Sequence, residues 1–331
     1  GMAAFEQAHS LHESIPQLVI ANQWFDIALD KVPELPDVYY LHQDLYGHKL
    51  FDYLMYSNSD YKTQDVGDAL KHIQNDLDRA IRYARTDAER AIFSAERVML
   101  SEDWSRMGEW LDQAFKPGDC TPLNWVQNVA NVFGWASQAT QQNQNIMRCD
   151  PLSSLPRWQL PHNLLWAGDA EAAVASAEQS LKIYGFDGWT DDSRFSAQLA
   201  LDPFADDAQL LSPNPENSNF DQPRKLFTLA ARGETEAAIS VFDDWFADNQ
   251  GDDLALLLLA AMTGQRDLAN ETARLIDDRF LGSFGIMLAV SNCLCGAPFD
   301  LDATPNFKKR VEEAGFHWPP PSPIKFPAKD W

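Results

Sequence analysis

The sequence predicts an all-α fold, a solenoid in which antiparallel helix hairpins stack along one chain. Three observations lead there. First, a turn recurs: GDAEAA at Gly168, GETEAA at Gly233 and GQRDLA at Gly264, each with an alanine five residues on (Ala173, Ala238, Ala269). Second, each turn separates an apolar segment (LPHNLLWA, LFTLAAR, LALLLLAAMT) from one whose apolar residues step by three and four. Third, Gly233 to Gly264 spans 31 residues and Gly168 to Gly233 spans 65, near twice that interval. Such a period suits hairpins that cannot bury their own apolar faces and must lean on neighbours. Glycine lets the chain leave one helix, the acidic residue favours the start of the next, and the small alanine allows close approach.

The elements follow in order. Gly1 before Met2 reads as the remnant of a cleaved tag, and no basic and apolar leader follows, so no secretory signal is expected. Ala21, Phe25, Ala28 and Pro33 step by four, three and five residues; Ala139 and Pro151 repeat the twelve-residue step from Ala21 to Pro33. Between Ser57 and Lys116 three helices are expected, QDVGDALKHIQNDLDRAIRYA, TDAERAIFSAERVML and SEDWSRMGEWLDQAF, with Thr86 and Ser101 as N-caps of the second and third. Leu201 to Pro223, rich in Pro, Asn and Asp, reads as a loop with a short helix. Phe280 to Phe299 carries no charge and approaches the length of a membrane span, but Gly282, Ser283, Gly285, Ser291, Asn292, Gly296 and Pro298 interrupt it. A helix in the protein interior is expected. The tail from Gly315 to Trp331 is expected to cap the last helix with Trp318, Ile324, Phe326 and Trp331, in preference to serving as a polyproline ligand through Pro320-x-x-Pro323.

On these residues the chain resembles the tetratricopeptide-repeat family, whose 34-residue unit is a pair of antiparallel helices. The stretch AFEQAHSLHESIPQLVIANQWFDIALDKVPELP matches a whole unit, with Phe5 at the first helix's aromatic position. Tyr39 and Tyr46 take that role in the next. The units around Gly168, Gly233 and Gly264 keep the glycine and the alanine but lack the closing proline. The resemblance covers about two-thirds of the chain and implies a right-handed superhelix of roughly seven to nine hairpins. One solenoid over 1–331 is expected, with sub-blocks 1–153 and 154–314 and the tail 315–331. The last 33 residues are also similar to endings of bacterial regulators in which helical repeats follow an output domain, which implies a regulatory setting.

Composition narrows the partners. The formal charge is −23, from 49 acidic and 26 basic residues, with no Lys/Arg rows to displace counterions from phosphates. Nucleic acid and anionic membranes are therefore not expected as partners. Four cysteines are too sparse for a disulfide scaffold, and reduced thiols in the cytoplasm are expected. Phosphate-loop, dinucleotide, nucleophile-elbow and HExxH patterns do not occur. His9 and His12 share a helical face without a third ligand, and Asp243–Asp244 and Asp277–Asp278 point apart on a helix, so neither metal nor cofactor nor acid–base catalysis is expected.

In the resembled family ligands lie on the concave surface lined by first helices. Its register implies Tyr40, Asp44 and His48 from one unit, Trp158, His162 and Trp166 from another, and Arg224 and Phe227 from a third. Aromatics with a few cationic or histidine donors suit peptide anchoring. The expected function is non-catalytic binding of a protein or peptide segment, with acidic rims selecting a basic one. A small-molecule sensor or an enzyme with a site in the same groove is the alternative, and the enzyme requires convergent titratable groups with a strongly shifted pKa.

Overall fold

The computed structural model of the chain describes residues 15–57, 62–151, 153, 155–206, 210, 218–248 and 250–331. Phe5, His9, His12 and the middle of the loop expected after Leu201 lie outside them. The helices are α1 (Ile15–Lys31), α2 (Pro36–His42), α3 (Asp44–Met55), α4 (Thr63–Tyr83), α5 (Asp87–Met99), α6 (Met107–Ala114), α7 (Val126–Val132), α8 (Ala136–Cys149) and α9 (Leu155–Trp166). They continue with α10 (Ala170–Tyr184), α11 (Gly188–Leu201), α12 (Ser218–Ala231), α13 (Thr235–Asp248), α14 (Asp253–Met262), α15 (Arg266–Asp277), α16 (Gly282–Cys293) and α17 (Pro305–Ala314). Among the described residues the extended backbone forms no strand, only one bridge between Tyr56 and Asp252. The fold is an all-α solenoid in which helices pack on their sequence neighbours.

The recurrent turn is punctuation. Gly168, Gly233 and Gly264 adopt φ of 85°, 77° and 77°, a left-handed conformation that side chains resist, and helices end and restart on either side. At the first, Gly168 and Asp169 donate their N–H groups back to Leu165 and Leu164, and the Asp169 carboxylate then caps the Ala172 N–H of α10 at 3.0 Å. Ala173, Ala238 and Ala269 are fully buried, as close helix approach requires. Thr86 caps α5 by accepting from the Glu89 N–H at 3.0 Å. Ser101 does not start a helix. Its hydroxyl donates to the Val98 carbonyl, and α6 begins only at Met107. The reason is Trp104, fully buried with its indole N–H on the Met99 carbonyl, which draws the intervening chain inward.

First helices of successive hairpins also pack on one another: α7 on α9, α9 on α11, α11 on α12, α12 on α14 and α14 on α16. The last of them then meets the beginning. Helix α16 packs on α3 and α7, with Gly285 pressed against Leu54 and Met55 and Phe284 edge-on to Trp125 at 5.9 Å. Nearby, the Ser57 N–H donates to the Gly251 carbonyl at 2.7 Å, and Arg279 donates to the Leu54 carbonyl and to Asp253. The inner layer therefore closes on itself with α16 at its centre.

This is the interior helix expected from the uncharged run. Every residue from Phe284 to Ser291 is buried. Removing Phe284, Ile286, Met287, Leu288 and Val290 from water contributes roughly 10 kcal/mol. That outweighs the left-handed backbone of Leu281 and Leu294 (φ 59° and 55°), which costs about 1–2 kcal/mol at each. Among the described residues no helix is long and apolar enough to cross a membrane.

Two further expectations change. The cysteines are not free thiols: Cys120 pairs with Cys149 and Cys293 with Cys295. The loop after α6 brings Cys120 to the end of α8, with Cα atoms 6.3 Å apart, and the sharp turn at Leu294 folds Cys293 towards Cys295. Sequence spacing encodes neither approach. The tail, in turn, reaches well past α17. Phe316 stacks on Phe133 at 4.3 Å, Trp318 lies against Phe299 and Phe307, and the Ile324 N–H donates to the Leu294 carbonyl at 2.8 Å. Pro327 then covers Gly233, Ala328 covers Gly264, and Arg266 lies over the Trp331 ring at 5.7 Å.

Candidate functional site

The eight residues expected on a concave groove fall into separate places, and much of the groove is already filled. Tyr40, Asp44 and His48 do converge, at the junction of α2, α3 and the start of α7. The Tyr40 hydroxyl donates to Glu96 Oε2 at 2.7 Å and accepts the Asn124 N–H at 3.0 Å. Gln43 Nε2 donates to Glu96 Oε1 at 2.7 Å, and the Val126 N–H donates to Oε2 at 3.0 Å. Asp44 Oδ1 accepts the Trp125 indole N–H at 3.0 Å, and His48 Nε2 stands 3.6 Å from Asp44 Oδ2. Only His48 reaches solvent to any extent.

The electrostatics of this cluster follow from its dryness. Burial pushes the Glu96 carboxyl up from the usual 4.5 to about 8, against the hydrogen bonds from Tyr40, Val126 and Gln43 that favour its ionised form. Burial and the neighbouring Glu96 raise the Tyr40 phenol well above its ordinary value. A convergent set with a strongly shifted carboxyl is what an enzyme reading demands. Yet Glu96 and Tyr40 are both wholly inaccessible, and the bonds from Tyr40, Gln43 and Val126 to Glu96 tie α2, α5 and α7 together. Geometrically the cluster is a knot between helices, with no opening for a substrate.

On α9, His162 and Trp166 face the central helix. Trp166 Nε1 donates to the Ser291 carbonyl at 3.2 Å, the His162 ring bonds the same residue's backbone, and burial lowers that ring to about 4. Ser291 Oγ completes the contact by donating to Asn128 at 2.8 Å. Trp166 is buried. Arg224 is buried as well, donating to Asp191 at 2.8 Å and lying near Asp192 at 3.4 Å, with its guanidinium over Phe195. Phe227, half-buried, meets the same Phe195 ring at 6.5 Å. The expectation of an open groove is therefore corrected for Tyr40, Asp44, Trp166 and Arg224. The physical reason is protein packed on each: Glu96 and Trp125 at Tyr40 and Asp44, α16 at Trp166, and Asp191 with Phe195 at Arg224.

Trp158 behaves differently. At the start of α9 it is half-buried and sits 6.0 Å from Trp189, which is 50% exposed. Around Trp189 the corner between α10 and α11 carries Ile183 (60% exposed), Tyr184 (40%) and Phe186 (46%). This corner is held in place. The Asp187 carboxylate caps α11 by accepting from the Trp189 and Thr190 N–H groups, and Arg157 lies over the Tyr184 ring at 3.9 Å. Sequence reasoning missed this corner because its residues flank a turn and belong to no helical stripe. It missed Glu96 although a signal existed: in AIFSAERVML the glutamate falls four residues after Ile92, on the apolar face.

Comparison with known proteins adds no constraint: no family model, curated protein or solved structure matches the chain.

Proposed function

We propose that the protein is a non-catalytic docking scaffold of helical-repeat type, tetratricopeptide-like in its hairpins, that captures a protein or peptide segment at the aromatic corner of α9, α10 and α11. The exposure of Ile183, Tyr184, Phe186 and Trp189 within seven residues carries this reading. Large apolar side chains concentrated on a surface mark interaction sites, and aromatics held in one geometry lose little entropy when a partner arrives. The charge of −23 favours encounter with a basic partner, an effect on association rate more than on affinity. The resemblance of the last 33 residues to endings of bacterial regulators supports a regulatory role for this docking as part of the same proposal.

The test is a fluorescence-anisotropy titration of the full chain against labelled peptides combining basic and large apolar residues. Phe186→Ser with Trp189→Ser lies on the surface and should leave the melt unchanged, while binding weakens by about 10- to 100-fold. Absence of any bound peptide, or equal affinity in the variant, refutes the reading.

A further inference from the structure

The two disulfides sit in opposite surroundings. Cys293 and Cys295, at the end of α16, are 1% and 2% exposed. The tail passes over neighbouring Gly296 and donates the Ile324 N–H to the Leu294 carbonyl, closing that bridge off. At the other bridge Cys149 is exposed and Cys120 is half-buried. Thiol–disulfide exchange begins when a thiolate reaches one of the two sulfurs, so access alone separates these bonds.

Position gives the exposed bond something to control. Cys149 is the last residue of α8, and the chain runs on into α9 at Leu155. The bond ties that helix end to the loop between α6 and α7. The loop, however, has anchors of its own. Directly after Cys120, the buried Gln142 side chain of α8 donates to the Thr121 carbonyl and to Asp119 Oδ1, both at 2.9 Å. Gln159 of α9 donates to the Leu123 carbonyl at 2.8 Å, and the Asn124 and Val126 N–H groups reach Tyr40 and Glu96. Gln142 stands about 10 Å before Cys149 along α8. When the bond opens, these anchors keep the loop seated on α8 and the two sulfurs neighbours. The last two turns of α8 lose their tether, and helix ends are where local opening is easiest. A helix end released while its partner stays near makes the bond reversible.

We propose that Cys120–Cys149 is a redox control bond, opened by a protein dithiol of the Cys-x-x-Cys class, that sets the order of the last two turns of α8. A thiolate of the reductant attacks the exposed Cys149 sulfur, the S–S bond breaks, and Cys120 leaves as a thiolate that takes up a proton. The reductant's second thiol gives up its proton and attacks the mixed disulfide, releasing Cys149 as a thiol and closing the reductant's own disulfide. Two electrons pass from the dithiol to the bond, and Cys293–Cys295 stays closed. This control site is independent of the docking function proposed for the aromatic corner.

The full chain, without denaturant, is incubated with dithiothreitol and separately with a reduced Cys-x-x-Cys oxidoreductase, then trapped with iodoacetamide and digested for mass spectrometry. Cys120 and Cys149 should take up label at least about tenfold faster than Cys293 and Cys295. In the reduced chain, hydrogen exchange across residues 143–150 should quicken about tenfold or more, while residues 121–126 keep their protection. Oxidised glutathione should restore the bond and the slow exchange. The Cys120→Ser/Cys149→Ser variant should show the quickened exchange from the outset and no further response to reductant. Should that variant fail to fold, the wild-type labelling and exchange decide the matter without it. Labelling that needs urea, equal rates at both pairs, or unchanged exchange across 143–150 overturns the proposal. Loss of protection throughout the chain on reduction marks the bond as purely structural and overturns it too.

Discussion

Replacing Glu96 by glutamine should change how stability depends on pH. The carboxyl titrates near 4.5 in the unfolded chain and at about 8 when folded, because burial opposes its charge. Between those values the folded protein holds a proton that the unfolded chain has released. Stability is therefore full below pH 4.5 and is lost as pH rises through about 8. At about 1.4 kcal/mol per tenfold, the interval amounts to roughly 5 kcal/mol. His162 runs the other way. Its ring, held near 4 by burial, costs stability as pH falls from 6.5 through about 4. The two slopes oppose each other up to pH 6.5, so the net loss caused by Glu96 emerges above it. Glutamine is isosteric and can keep the bonds from Tyr40 and Val126. Its new amide donor would face Gln43 Nε2, but Gln43 Oε1 has no partner and rotation of that side-chain amide supplies the acceptor. Urea unfolding followed by tryptophan fluorescence at pH 5, 7 and 9 should show a variant-minus-wild-type difference growing by several kcal/mol in the variant's favour. Parallel curves for the two proteins across that range would refute the burial argument.

Other perturbations test other parts of the fold. His162→Asn should flatten the acid limb, preserving about 1–3 kcal/mol at pH 4 relative to wild type once the ring's partial exposure is allowed for; an unchanged acid limb in urea titrations contradicts this. Gly282→Ala would bring a Cβ within 2.3 Å of the Ile276 carbonyl oxygen and should destabilise by about 3 kcal/mol in urea unfolding. At Gly168 an added Cβ meets nothing within 4 Å, so alanine there should cost only the left-handed strain of about 1–2 kcal/mol, and equal losses at both sites would deny the close packing at α16. Deleting residues 319–331 strips away the buried Ile324 and Phe326 and should lower the melting temperature by about 5–10 °C, with calorimetry as the check.

How far the sequence speaks depends on how local the cause is. A left-handed turn, a capping hydroxyl or a fully apolar run acts within a few residues, so the hairpins at Gly168, Gly233 and Gly264, the cap at Thr86 and the interior position of Gly282–Cys293 could all be read directly. Closure could not. The contact of Gly285 with Leu54 joins residues more than two hundred positions apart, and no periodicity announces it. Because closure was hidden, a residue assigned to a groove, Trp166, proves to face α16. Gln127, Asn131, Gln159 and Asn163 stand as Gln-x-x-x-Asn at 127 and again at 159 and are buried, yet polar residues at helical spacing read as solvated until their burial is known.

The central position of α16 also governs how the chain must assemble. In an open stack each module needs only its neighbour, so truncation shortens the array one unit at a time and folding begins anywhere. Here α16 leaves the ribosome late, and α3 and α7, made long before it, wait for the helix that covers them. Loss of the final sixty residues should thus unravel the whole wheel, and refolding should run at the slow pace set by distant segments finding each other.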